Sequence, residues 1–162
     1  MVENGLDTET LQIIEKLLEQ EKYRKMYVHK PYPWQQTFHN AGKDNSERLL
    51  MAANGVGKTM TGAYETAIHL TGLYPSWWEG RRYAKPVKWW GCSISADSQK
   101  EYVQPSLLGP DLGEGYGIGF IPLDRLGKPS TRQAGISGVV DTVNVRHTSG
   151  GQSQRKTPLR QA

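Results

Sequence analysis

Between Arg48 and Thr59 the chain reads Arg-Leu-Leu-Met-Ala-Ala-Asn-Gly-Val-Gly-Lys-Thr, and this run limits the fold more than any other. Leu49 to Ala52 is an apolar run of buried-strand length, Gly55 and Gly57 mark a turn, and a helix-compatible segment follows Lys58. Strand, loop and helix in that order predict one unit of a parallel α/β sheet. The loop also has a chemistry. Backbone N–H groups can converge on a densely charged polyphosphate only where no Cβ intervenes, which Gly55 and Gly57 permit. A helix opening at about Lys58 turns its unpaired amides and positive dipole end to the same oxygens. Lys58 adds a point charge, and the Thr59 hydroxyl is placed to ligate Mg²⁺. The predicted phosphate-binding residues are Ala53, Asn54, Gly55, Val56, Gly57, Lys58 and Thr59, with Thr59 also the metal ligand. The spacing G-x-x-x-x-G-K-[ST] is met except at its first position, Ala52, where glycine would ease only the bend out of the strand.

A chain of 162 residues suits one domain with a sizeable core. Hydrophobic content of 36%, a mean hydropathy of −0.63 and 18 glycines are polar for a self-sufficient globule, so part of the fold is expected to be missing or supplied by a partner. The formal charge is +4, but Arg155, Lys156 and Arg160 supply three of those charges within the last ten residues. Net charge therefore makes no case for nucleic acid. A single cysteine, Cys92, excludes an intramolecular disulfide and fits a reducing cytosol. No apolar run approaches the ~18 residues needed to cross a bilayer, and no signal-peptide pattern opens the chain, so a soluble, intracellular protein is expected. His29, His39, His69 and His147 are scattered without metal-ligand spacing.

Taken in order, Asp7 or Thr8 can cap a helix running to about Met26, packed by a stripe of Leu11, Ile14, Leu17 and Leu18. Lys30-Pro-Tyr-Pro-Trp-Gln-Gln-Thr-Phe then interrupts regular structure. Its Gln35 or Gln36 amide can pair with an adenine edge, and Tyr32 or Phe38 can cover a base. Met60 to Tyr74 reads as a helix closed by Gly72 and Pro75. Trp77, Trp78 and Tyr83 interleave with Arg81, Arg82 and Lys85, a pattern that either grips a single strand or fastens a loop to the domain. Val87 to Ile94 is a strand, Ser95 or Asp97 caps a helix to about Gln104, and Val139 to Arg146 is a further strand. Gly109 to Gly119 is a loop. Residues 1–30 thus form an N-terminal helical segment, 31–150 a partial phosphate-loop domain, and 151–162 a basic tail with too little apolar surface to order itself.

With these residues in hand, the chain resembles the N-terminal ATPase region of the tailed-phage terminase large subunit, the motor that drives DNA into procapsids. The resemblance rests on Tyr32-Pro-Trp-Gln-Gln-Thr-Phe-His, Ala52-Ala-Asn-Gly-Val-Gly-Lys-Thr, Gly72-Leu-Tyr-Pro-Ser-Trp-Trp-Glu-Gly-Arg-Arg-Tyr and Trp89-Trp-Gly-Cys-Ser-Ile-Ser. It implies a three-layer α/β/α, RecA-like ATPase core with a mostly parallel sheet, incomplete at the C-terminus. It also implies ATP and Mg²⁺ as cofactors, and double-stranded DNA, the small terminase subunit and the portal of the procapsid as partners. The setting it implies is a ring oligomer in the cytoplasm of a bacterial host, with no membrane. The adenine-contacting glutamine falls on Gln35 or Gln36, with Tyr32 beside it. Some relatives carry an arginine finger inside the loop; Asn54 stands at that position here, and Arg48 is a substitute by position only.

A working ATPase of this type also needs a strand ending in Asp-Glu. Val139-Val140-Asp141-Thr142 ends in an acid but lacks the glutamate, and the chain leaves the family pattern at about Ser153. This predicts an ATP-binding N-terminal fragment with no catalytic carboxylate of its own, inactive alone. The alternatives are a nucleotide-binding module or motor regulator that does not hydrolyse, and a small P-loop kinase, for which Arg125, Lys128 and Arg132 make a sparse lid.

Overall fold

Helix α4 (Lys58–Thr71) sits at the centre of the protein because almost every side chain from Thr61 to Thr71 is buried. In a computed structural model that describes residues 7–131 and 137–157, it packs on three strands of the sheet and on a second helical stretch. Arg132, Arg160 and the chain beyond Thr157, all weighed above, lie outside the described residues. Both ends of α4 are set by glycine in the left-handed region, Gly57 (φ 94°) before it and Gly72 (φ 73°) after it. Gly72 is also a close approach: a Cβ there would fall within 2.3 Å of Thr148 Oγ1, and Thr148 N–H donates to Thr71 O at 2.8 Å.

The sheet has four strands, β1 (Lys88–Trp90), β2 (Ser130–Thr131), β3 (Val140–Arg146) and β4 (Gln152–Lys156), in the order β1-β4-β3-β2. Only β1 and β4 run parallel; β4–β3 and β3–β2 are antiparallel. The fold is therefore α/β as expected, but the expected mostly parallel sheet is corrected to a mixed one. Residues 140–156 supply two strands joined by a tight turn rather than by a helix, and a short turn can join only antiparallel neighbours.

The expected disordered tail from residue 151 is overturned as far as Thr157. Gln152–Lys156 is an inner strand, paired to β1 on one side and β3 on the other. Its side chains carry no apolar surface, but its backbone is satisfied on both edges, and Ser153 and Arg155 point into the core. The expected strand at Leu49–Ala52 is absent. No described strand lies beside it, so it has no ladder to join, and Leu49 and Met51 are each 82% exposed.

The N-terminal helix forms as α1 (Thr8–Lys22), with Asp7 accepting from Thr10 N–H, then breaks at Tyr23 before a single turn, α2 (Lys25–Val28). The expected packing of its Leu/Ile stripe does not occur: α1 has no buried residue. Helix α3 (Pro33–Asn40) starts with proline at its first position, where a missing N–H costs nothing. After β1, α5 (Ala96–Ser98) is capped by Ser95 and widens into a π-helical turn, Gln99–Val103, before α6 (Gln104–Leu108). Pro105 cannot donate, and the widened turn just before it keeps helix running past the expected end at Gln104. Two buried amides tie this stretch to the strands. Gln99 donates to Gly91 O and Thr157 Oγ1, while Gln104 donates to Gly138 O and accepts from Val140 N–H. The core lies between: Tyr64, Ile68 and Leu70 from α4, Leu107 and Leu108 from α6, Phe120 and Ile121 from the following loop, and Val143 and Val145 from β3.

Arg155 is the exception within that core. It is fully buried, Nη1 donates to Val140 O at 3.2 Å, and Nε and Nη2 have no hydrogen-bond partner. Burial pushes its guanidinium down to about 10, against the opposing pull of the Asp141 charge. A buried cation with only one hydrogen bond carries a desolvation cost of several kcal/mol, which an apolar side chain of similar volume removes. Arg155→Leu should therefore raise the melting temperature by about 2–4 °C or more. A fall in calorimetry would mean that its attraction to Asp141 outweighs the desolvation.

Candidate functional site

The Ala52–Thr59 segment folds into an exposed turn at the N-terminus of α4. Gly55 (φ 78°) and Gly57 (φ 94°) both adopt backbone conformations that other residues rarely reach, and open space lies where a Cβ on Gly55 would be. Ala53 to Val56 are exposed and the first amides of α4 have no intrahelical acceptor, which leaves them facing the turn. Lys58 folds back over it, donating to Ala52 O at 2.6 Å and Ala53 O at 2.7 Å. Thr59 is exposed. An ammonium held by two neutral carbonyls has exchangeable partners, and oxygens of higher charge would displace them.

Behind the turn, the sequence around Tyr32 is built into the same unit. Gln35 is buried; its Oε1 accepts from Tyr32 N–H at 2.8 Å, and its Nε2 donates to Thr61 Oγ1 at 2.8 Å. Thr61 in turn donates to Gly57 O at 2.9 Å. One chain of hydrogen bonds thus runs from the start of α3 to the residue that caps α4. Gln35 has its amide committed inside the protein, which leaves Gln36, half-buried, and Tyr32, 65% exposed, as the groups that can face a bound base. Thr61 was not singled out from the sequence; a threonine one turn into the helix has no signature of its own.

Arg48 is likewise committed. Its Nη2 is paired with Glu65 Oε1, its Nη1 donates to Glu65 Oε2 at 3.2 Å and to Phe38 O at 2.7 Å, and its guanidinium lies 4.6 Å from the Phe38 ring centroid. Glu65 collects further partners in His39 Nδ1 at 2.8 Å and His69 Nε2 at 3.4 Å. Burial pushes the Glu65 carboxyl up, but the hydrogen bonds from His39, His69 and Arg48 together hold it far below the ordinary range. Here the sequence had a readable signal: Glu65 and His69, four residues apart, are the two titratable acid–base side chains on α4 that can pair across one turn. Trp78 packs against both imidazoles, with ring centroids 5.2 Å from His39 and 5.6 Å from His69, and Trp77 stacks on Tyr64 at 6.0 Å. Of the two readings of the Trp-Arg segment, these tryptophans follow the fastening one.

Comparison with known proteins decides the family. The chain is 39% identical over 142 residues to the terminase large subunit of Salmonella phage P22, a match covering 78% of this chain and 28% of the phage protein. The chain belongs to the terminase large-subunit family. It spans little more than a quarter of that relative's length. No family model matches it, and no solved structure does. Among the described residues of this terminase relative, no helix is long and apolar enough to cross a membrane, and no group of three or more His, Cys, Asp or Glu could hold a metal ion. A Mg²⁺ here would thus depend on Thr59 and on the oxygens of a bound phosphate, a donor set that suits a hard cation keeping most of its waters.

The Glu65 cluster predicts an acid limit. A carboxylate whose folded-state pKa is depressed stabilises the fold above its unfolded value, 4.5, and that contribution is lost as pH falls below it. Glu65→Gln should destabilise this terminase relative by roughly 3 kcal/mol at neutral pH, because Arg48 loses its counter-charge. It should also flatten the decline of melting temperature below pH 4.5. Parallel acid branches in the two proteins would show that Glu65 does not govern acid unfolding.

Proposed function

We propose that the loop from Ala52 to Thr59 binds the phosphates of Mg-ATP, and that the chain is an ATP-binding part of a viral DNA-packaging motor. The observation that carries this reading is the turn itself: two glycines at positive φ, an uncovered helix N-terminus, and Lys58 resting on two backbone carbonyls. On binding, Lys58 exchanges those carbonyls for β- and γ-phosphate oxygens. The amides of Gly55 to Thr59 donate to the same groups, and Thr59 Oγ1 ligates the metal. A Mg²⁺ held there would supply neutralising charge for the phosphates. Tyr32 and Gln36 cover and read the base. In this reading Arg48 is a positioning residue rather than a finger, since moving it would strand Glu65 in the interior.

The surrounding α/β unit, whose described core helices pack on one face of the sheet, is read as part of a RecA-like core. The partners proposed for the motor to which it belongs are double-stranded DNA, a small terminase subunit and a portal, in a ring within the bacterial cytoplasm. Kinship to a phage terminase supports that wider setting. Hydrolysis needs a carboxylate to orient water. Glu65, the acid nearest the loop on α4, is occupied by Arg48 and two imidazoles, which favours binding without turnover in this chain alone.

Lys58→Ala should weaken Mg-ATP binding about tenfold or more, since a charge-assisted contact is worth roughly 1.5–3 kcal/mol. Equal calorimetric affinities for the two proteins would remove the phosphate-site assignment. Steady-state phosphate release should stay near background; robust release that Lys58→Ala abolishes would mean a carboxylate elsewhere orients the water.

A further inference from the structure

The register of the sheet sorts its side chains onto two faces with opposite character. Trp89, Val143, Val145, Ser153 and Arg155 face the core. The alternate positions face out, and there Trp90 and Lys156 are register partners, as are Lys88 with Gln154 and Arg146 with Gln152. Lys88, Trp90, Arg146 and Lys156 are all exposed, Trp90 to 69%. Between them Gln154 Nε2 donates to Asn144 Oδ1 at 3.3 Å, so the centre of the face is lined by amides. Apart from Asp141, half-buried at the start of β3 and accepting from Thr142 Oγ1 at 3.2 Å, no residue of β1, β3 or β4 is a carboxylate.

A large indole on a strand, mostly presented to water among three cations and a patch of amides, is unusual for a surface with nothing to meet. We propose that this open face of the sheet is a single-stranded nucleic-acid platform. The charge complementarity is direct. Lys88, Arg146 and Lys156, spread over three neighbouring strands, neutralise a phosphate backbone, while Trp90 offers a flat ring on which one unstacked base can lie. Gln152, Gln154 and Asn144 present both donors and acceptors, which suits base edges of any identity. A duplex keeps its bases stacked, so Trp90 would have nothing to cover and only the cations would act. From Thr142, paired with Lys156, to Arg146 the face spans about 13 Å, room for only a few nucleotides. Binding should accordingly be weak and carry little sequence preference. This platform is separate from the nucleotide loop, whose lysine and amides belong to α4.

The test uses the full chain and a fluorescein-labelled ten-nucleotide oligothymidylate at low salt, followed by anisotropy and by tryptophan quenching, with a ten-base-pair duplex alongside. The single strand should bind more tightly than the duplex, with a logarithmic salt slope of about −2 for three phosphate contacts. Trp90→Ala should weaken single-strand binding about fivefold or more, and Trp90→Phe, which keeps a stacking ring, should restore most of it. Lys88→Glu with Arg146→Glu should abolish binding, whereas Arg81→Glu, an exposed cation outside this face, should leave it unchanged. All four positions are exposed, and unchanged melting temperatures confirm that the variants fold. Lys58→Ala, which tests the ATP reading, should retain oligonucleotide binding in full, so failure of either assignment is visible independently of the other. The proposal is overturned if Trp90→Ala binds as tightly as the parent, if the duplex binds as well as the single strand, or if Arg81→Glu is as damaging as the face variants.

Discussion

Glu65 lies inside the protein on the central helix, and an unpaired carboxylate there would cost several kcal/mol to desolvate. What makes it tolerable is that three separate segments send a donor to it: His39 from α3, Arg48 from the segment before the loop, and His69 from the next turn of α4. Each donor is thereby fixed in place. The Arg48 pairing holds the chain entering the Ala52–Thr59 turn against the helix that leaves it. His39 fixes α3, and with it Gln35, whose amide reaches Thr61 and through it the cap residue Gly57. The geometry of an exposed turn is therefore specified from a buried charge about two helical turns away, through donors whose other contacts are all inside the protein.

This arrangement also explains why the loop can be ordered without a strand before it. The segment leading into it has no ladder among the described residues, and Leu49 and Met51 stand in water. A turn with free amides and no strand to brace it would ordinarily fluctuate. Here it is gripped at three points: by Arg48 before it, by Lys58 bonded to Ala52 and Ala53 across it, and by Gln35 and Thr61 at Gly57 behind it. Lys58 is the only one of the three grips that a ligand would need to take over. The loop's other two grips, at Arg48 and at Gln35–Thr61, hold its backbone without Lys58.

Much of this was legible in the chain, and what was not has identifiable causes. The phosphate-loop helix, its glycine stop at Gly72, the Asp7 and Ser95 caps and the β3 strand all follow from local signals that tertiary packing did not override. The strand at Leu49–Ala52 was misread because apolar composition predicts burial only where a neighbouring strand exists to provide it. The opposite error occurred at Gln152–Lys156, where a polar run is an inner strand: two-sided backbone pairing is invisible to hydropathy. At the candidate site, the glycines that turn the chain could be named in advance, whereas which of Gln35 and Gln36 is buried could not. Adjacent glutamines on a helix point in directions 100° apart, and only packing says which one turns inward.

Charge shows the same limit in a different form. Summed over the sequence, the cations outside the last ten residues nearly cancel against the acids, and on that count nothing favours a polyanion as partner. Folding does not preserve that average. Strand alternation sends every second residue to one face, and the register of three strands then brings Lys88, Lys156 and Arg146 onto the same one. The aromatic signal is redistributed too: Trp78, followed closely by Arg81 and Arg82 in the sequence, is buried against His39 and His69, whereas Trp90, beside β4's Lys156, is exposed. A nucleic-acid interface is a property of a surface rather than of a composition. In a mixed sheet that surface is decided by register, which neither net charge nor the local Trp-Arg pattern contains.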